Sequence, residues 1–194
     1  VKTRSLAAAF LGGVLLLAGC STAGAAAVVG PVAISDQELD SQVQAVLKAQ
    51  GREPNSLDPN LSREILNRLV LTSLVDQLAE REGVSVDQGT IDRTLIDFDA
   101  QVGGRDQLED LYLQQGVAPS QIEDIIRLNA LAMALGPALD PTGTPETQSQ
   151  ALVQEVTNLS LELGTSVAPR FGTWEPMMLN IGPVIDDLSV PASQ

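Results

Sequence analysis

Apolar residues recur along this chain at helical spacing, in blocks divided by glycine and proline. Leu39, Val43, Val46 and Leu47 follow Ser35-Asp-Gln-Glu38 and precede Gly51. That arrangement predicts a helix opened by a capping box, in which the serine takes the N3 amide and the glutamate reaches back. After a polar connection, Asp58-Pro59 supplies an N-cap and first-turn proline for Leu61, Ile65, Leu66, Leu69, Val70, Leu74, Val75 and Leu78, ending at Gly83. This apolar stripe is the widest of the chain and predicts a central helix, buried on much of its circumference. Ser85-Val-Asp-Gln88 reads as a second capping box before Ile91, Leu95, Phe98 and Val102, closed by Gly103-Gly104. Asp106 opens a short helix with Leu108, Leu111 and Tyr112, closed by Gly116. Pro119 starts another, carrying Ile122, Ile125, Ile126, Leu128, Leu131, Met133 and Leu135 before Gly136-Pro137. The segment Pro137 to Pro145 predicts a loop, and Thr144-Pro145 begins a last helix with Leu152, Val156, Leu159 and Leu163, ended by Gly164. Glycines 83, 103, 104, 116 and 136 are expected at helix C-termini, where positive φ is required.

Two stretches break this rhythm. Ala25 to Ile34 reads as a short β-branched strand interrupted by Gly30-Pro31, and Ser166 to Trp174 reads as extended. The tail after Pro176 is apolar but broken by proline and glycine, which predicts irregular structure. The expected fold is thus mainly α, a bundle of about six helices. The expected domains are a signal peptide over 1–19, a tether of small residues over 20–27, a helical domain over 28–174 and an irregular tail over 175–194.

The first block differs from the rest. Lys2 and Arg4 precede an apolar run, Leu6 to Ala18, that is shorter than the roughly 20 residues needed to span a bilayer. Basic residues, an apolar stretch and small residues mark a secretory signal. Leu17-Ala18-Gly19-Cys20 resembles the lipobox of bacterial lipoproteins. The resemblance implies that Cys20, the only cysteine, receives a diacylglycerol and becomes the new, often acylated, N-terminus. Two or three acyl chains, palmitate among them, hold a protein where one does not, each buried CH₂ contributing about 0.8 kcal/mol. The expected location is the bacterial cell envelope, on the outer, extracytoplasmic face of a membrane. With Cys20 committed to lipid, no disulfide framework exists.

Composition narrows the chemistry. Twenty-five acidic and 11 basic side chains give a formal net charge of −14, and loss of Lys2 and Arg4 makes the remainder more acidic still. Such a surface is repelled by phosphate backbones and anionic headgroups, so no nucleic-acid partner is expected. The chain has no histidine, which removes the commonest general base and metal ligand. No phosphate-binding glycine loop is present. Asp97 with Asp99, Glu109 with Asp110, and Asp186 with Asp187 read as solvated faces rather than catalytic dyads. The chain is therefore expected not to be an enzyme and to need no cofactor or metal.

Several elements in order carry a wider resemblance: Ala-Val-Val-Gly then Ile-Ser35 and a capped helix; a long apolar helix ending Ala79-Glu-Arg-Glu-Gly83-Val84-Ser-Val; Gly103-Gly104 with Leu108; Leu113 before Gly116-Val117; and Ile122 before Ile126-Arg127. Together these resemble the N-terminal domain of SurA-type periplasmic chaperones and PrsA-type foldase lipoproteins. Val167-Ala-Pro-Arg-Phe-Gly-Thr-Trp174 resembles a strand motif, Val-x-Pro-Arg-[Tyr/Phe]-Gly-x-Trp, that follows the last helix in lipoproteins with this domain. The resemblance implies a small two-strand ribbon joining the N- and C-terminal segments, Val167–Trp174 against Val28–Ile34, and binding of unfolded or partly folded exported polypeptides. Many such proteins insert a parvulin prolyl isomerase before the closing helix. Here only Pro137 to Pro145 occupies that place, too short for a parvulin fold, so isomerase activity is not carried over. A holdase needs a broad, adaptable apolar surface. The candidate client-binding residues are Met133, Phe171, Trp174, Met177 and Met178, with Leu131 and Leu135 read as core. For Trp174, Met177 and Met178 the sequence leaves core and cradle both open. Arg170 is expected to pair with a buried carboxylate or a helix C-terminus. A lipid-anchored docking or structural subunit of an envelope complex is the alternative function; a small-ligand lipoprotein needs a closed pocket for which the helix stripes show no sign.

Overall fold

The computed structural model describes residues 24–54 and 56–184. The expected signal peptide, Cys20 and Asp186-Asp187 lie outside them. The chain forms β1 (Ala25–Val29), β2 (Val32–Ser35), α1 (Asp36–Ala49), α2 (Pro59–Glu82), α3 (Gln88–Val102), α4 (Arg105–Gln114), α5 (Ile122–Leu139), α6 (Pro145–Glu162), β3 (Ser166–Val167), β4 (Thr173–Glu175) and β5 (Asn180–Gly182). The mainly α bundle of six helices is as expected from the periodicity.

Helix α2 is the axis. Leu66, Val70, Leu74 and Leu78 are wholly buried on it, and α1, α5, α6 and β1 all pack against it. Its start follows the reading of the sequence: the Asp58 carboxylate accepts the Leu61 amide at 3.1 Å, with Pro59 in the first turn. Its end is Gly83 at φ 66°, whose left-handed conformation lets Val84 N–H return to the Ala79 carbonyl. Ser35 caps α1 by accepting the Glu38 amide at 3.1 Å. The Gln77 amide donates to the Val29 carbonyl at 3.1 Å and ties α2 to the sheet.

A second, smaller core joins α3, α4 and the start of α5 through Ile91, Leu108, Val117, Ile122 and Ile126. Helix α5 belongs to both cores, because Leu131 and Leu135 further along it enter the main one. Two arginines fasten this lobe to α2. Arg127 grips Asp76 in a two-point pair at 2.7 and 3.0 Å, and Arg68 donates to the Gly116 carbonyl at 3.0 Å. Desolvation lowers the Arg68 pKa from its ordinary value, while nearby Glu64 opposes that shift.

Several expectations need correction. Gly30-Pro31 does not interrupt one strand but turns a hairpin: Val29 faces Val32 and Val28 faces Ala33, so β1 and β2 are antiparallel neighbours. The ribbon to the C-terminal segment is short, Ala27 facing Val167 and Val28 facing Ser166, which makes a three-stranded sheet ordered β2-β1-β3. The rest of the extended segment leaves that sheet through a tight turn at Pro169–Phe171 and forms a separate hairpin, β4 with β5. The tether ends earlier than expected. Ala25 to Ala27 lie in β1, and Ala26 and Ala27 are buried, because small side chains fit the sheet against α2. The segment after 174 is likewise not all irregular, since Ile181 is buried in β5. The cap of α3 is Asp87, not Ser85; its carboxylate accepts the Thr90 amide at 2.9 Å. Gly136 is no C-cap: α5 runs through Gly136-Pro137 to Leu139, and the connection to α6 is Asp140–Thr144.

Leu74→Ala is expected to destabilise the fold by about 2–5 kcal/mol in urea denaturation, the range for emptying a packed leucine site. Leu57→Ala, at a side chain 95% exposed, is expected to stay within about 0.5 kcal/mol. The caps carry a pH dependence. A backbone hydrogen bond from Leu61 holds the Asp58 pKa below the ordinary carboxylate value, and one from Thr90 does the same for Asp87. Their stabilisation is therefore complete above the unfolded value, near about 3.9, and is lost as pH falls through the lower folded values. Replacing both by serine, an equivalent cap that does not titrate, is expected to flatten the fall of the urea midpoint as pH drops below about 4.

Candidate functional site

Helices α5 and α6 face each other across a stretch of chain with no charge. Arg127 is the last charged residue of α5 before Asp140, and none lies between Glu146 and Glu155 of α6. Small residues on the facing sides bring the helices close. At Gly136 a Cβ would sit 3.1 Å from the Gln148 Cβ, so the absent side chain permits the approach. The Gln148 amide donates to the Asp140 carbonyl at 3.1 Å and holds the connecting loop across the end of the pair. Pro137 has no N–H to donate back to the Met133 carbonyl, so that acceptor lacks its usual helical partner.

Above this contact lies a cleft of about 380 Å³ between α5 and α6, with Met133 on one rim and Ser149 and Leu152 on the other. A second cleft, of about 290 Å³, adjoins it across Ser149 and runs past Val153 and Thr157 to Met177. The lining of neither includes an aspartate, glutamate, lysine or arginine. Three other clefts on the described surface all carry charge: Arg63 and Glu64 in one, Asp40 and Asp58 in another, Arg170 in the third. On so acidic a chain, the neutral strip from Met133 over α6 to Met177 stands apart. Met133 is 78% exposed, Val153 53% and Met177 75%.

The β4–β5 hairpin forms the far rim. Glu175 faces Asn180 across it, and Met177 and Met178 lie in the connecting loop, where Met178 N–H returns to the Glu175 carbonyl at 3.0 Å. Both methionines face solvent, Met178 at 73% exposure. Three contacts fix the hairpin. Trp174 is buried, and its indole N–H donates to the Ser160 hydroxyl of α6 at 2.7 Å. Ile181 N–H donates to the Asn67 side chain of α2 at 3.0 Å. Gly172, at φ 126°, lies so close to the Gly182 carbonyl that any Cβ would overlap it.

The expected client-binding residues thus separate. Met133, Met177 and Met178 are on the surface, and the first and second line the adjoining clefts. Trp174, left open between core and cradle by the sequence, is core at 7% exposure, and its indole N–H ties the hairpin to Ser160 of α6. Phe171 is half-buried against the main core with the Arg170 guanidinium 4.6 Å above its ring, away from both cleft linings. Leu131 and Leu135 are core, as read. Arg170 pairs with Asp36, a half-exposed carboxylate in the first turn of α1 and not a buried one or a helix C-terminus. Val153 and Ser149 were not foreseen. Their signal was the uncharged run Thr147–Gln154 opposite the uncharged run Leu128–Leu139. Ile96 and Leu111 are also exposed, on α3 and α4, but acidic residues flank both in sequence: Asp97 and Asp99 beside the first, Glu109 and Asp110 beside the second.

Gly172→Ala is expected to dislodge the hairpin. The check is the fluorescence of Trp174, the only tryptophan, which should shift to the red as the indole becomes wet, with a lower unfolding midpoint. Gly164→Ala has open space around its Cβ and a φ of 62°, so it should cost only the left-handed strain, about 1–2 kcal/mol, and leave the emission unchanged.

The family model for the SurA N-terminal domain matches residues 24–135, more than half of the chain, from β1 through Leu135 of α5. The domain is chaperone-associated. Helix α6 and the β4–β5 hairpin lie beyond the matched span. No curated protein and no solved structure matches the chain.

Proposed function

We propose that this chain, which belongs to the SurA N-terminal domain family, is a membrane-anchored holdase of the bacterial envelope that takes apolar segments of unfolded exported polypeptides on the α5–α6 strip. The observation that carries this reading is the neutral, methionine-edged surface on an otherwise acidic body. A bound segment there meets no fixed charge that would demand a partner, so sequence tolerance follows. Methionine adds side chains that repack around different occupants. Acidic residues elsewhere discourage self-association and attract basic client stretches.

Anchoring rests on the lipobox-like Leu17-Ala18-Gly19-Cys20; among the described residues no helix is long and apolar enough to cross a membrane. Absence of prolyl isomerase activity rests on the direct Asp140–Thr144 connection where other chaperones of this kind carry the isomerase, and on a chain without histidine. A second reading, a docking subunit for one envelope partner, draws on the rim itself. A hairpin pinned by Trp174, Asn67 and Gly172 is preorganised, which favours a defined partner over many.

Adding the soluble Ser21–Gln194 chain to a refolding, aggregation-prone protein is expected to suppress light scattering. Met133→Asp and Val153→Asp are expected to raise the ratio needed for half-suppression at least about fivefold, ~1 kcal/mol of affinity, while Ile96→Asp leaves it unchanged. No suppression at several-fold excess sinks the holdase and favours the docking subunit. A prolyl-isomerisation assay is expected to show no acceleration.

A further inference from the structure

Among the described residues the apolar core is leucine, isoleucine, valine and alanine with the single Trp174, and all three methionines are exposed. Methionine is ordinarily among the more buried residues. Here two of the three edge the neutral strip, Met133 from α5 and Met177 from the hairpin loop, while Met178 beside the latter lines neither cleft. We propose that Met133 and Met177 are an oxidation site through which a peroxide switches off the α5–α6 strip. This rests on the reading of the strip as a polypeptide-binding surface.

The chemistry is complete with one reagent. The thioether sulfur donates a lone pair to one oxygen of hydrogen peroxide, the O–O bond breaks, and a sulfoxide forms. The second oxygen takes up the protons and leaves as water. The sulfur is oxidised by two electrons and the peroxide reduced by two. A flexible apolar rim becomes a polar, strongly hydrated one at both edges of the strip, and an enzyme of the methionine sulfoxide reductase type with a thiol reductant reverses it. The fold is spared, because the residues whose packing carries stability include no methionine: Leu66, Leu74, Leu78 and Leu135 are all fully buried and chemically inert to peroxide.

The test uses the full chain held in lipid nanodiscs, treated with hydrogen peroxide and followed by peptide mass spectrometry and by aggregation suppression. Expected are fast sulfoxide formation at Met133 and Met177, an unchanged unfolding temperature, at least a fivefold weaker suppression, and recovery after reductase with dithiothreitol. Met133→Leu/Met177→Leu, which keeps Met178, is expected to show the same suppression after peroxide as before it, whatever its starting level, because leucine is inert to the oxidant. Undiminished suppression by fully oxidised protein overturns the switch while leaving the holdase intact. A leucine variant as sensitive as the parent, or a loss of suppression that accompanies unfolding, overturns it as well. Absence of suppression before any peroxide is added overturns the holdase and the switch together.

Discussion

Helix α2 has apolar residues on too much of its circumference to be satisfied by one neighbour, and the rest of the fold follows from that. Leu66, Val70, Leu74 and Leu78 reach zero exposure only because α1, α5, α6 and the sheet close around them. At about 25 cal/mol per Å² of apolar area removed from water, a surrounded helix of this length is the largest single source of cohesion available to a chain with few aromatics. The remaining elements are then constrained by reach. Helix α5 runs long enough to serve two cores, and the α3–α4 lobe attaches through its first half and through the Arg127–Asp76 and Arg68–Gly116 contacts.

The same constraint decides which faces of the outer helices stay open. Helix α6 contributes Val156 and Leu159 to the interior, and that side of it is used up. Ser149, Val153 and Thr157 line the cleft that reaches Met177 in the loop of the β4–β5 hairpin. The two helices approach closely at Gly136, where a side chain would fill the contact. What remains above is a shallow neutral surface with flexible sulfur-bearing edges. Its shape is kept by a small set of polar ties outside it: the Trp174–Ser160 hydrogen bond, the Ile181–Asn67 hydrogen bond and the Gln148 bridge to the loop.

The motif Val-x-Pro-Arg-Phe-Gly-x-Trp acquires a physical meaning in this setting. Val167 pairs with Ala27 in the first sheet, Pro169 to Phe171 turn the chain, and Arg170 reaches the first turn of α1. Gly172 allows the backbone to pass against β5, and Trp174 seats the hairpin on α6. Each position serves the crossing from one small sheet to the next. None of these residues touches the strip directly, yet the place of Met177 depends on them.

Local signals were enough for the helices. The spacing of Leu39, Val43, Val46 and Leu47, the caps at Ser35, Asp58 and Thr144, and the stops at Gly83, Gly103 and Gly164 are short-range matters of hydrogen bonding and backbone conformation, and they appear where their residues stand. Where two local signals competed, one had to lose. Ser85 and Asp87 both offered a cap and the aspartate took it; Gly136-Pro137 signalled an end, but Leu139 still packs on the core and α5 continues. The neutral character of the strip was likewise present in two uncharged runs of the sequence. That the runs face each other, that Trp174 lies inside and Met177 outside, and that the hairpin returns over α6 were decided by tertiary structure. Strand partners and groove walls are contacts between segments far apart in the chain, and no local spacing encodes which of several apolar residues the interior will have room to accept.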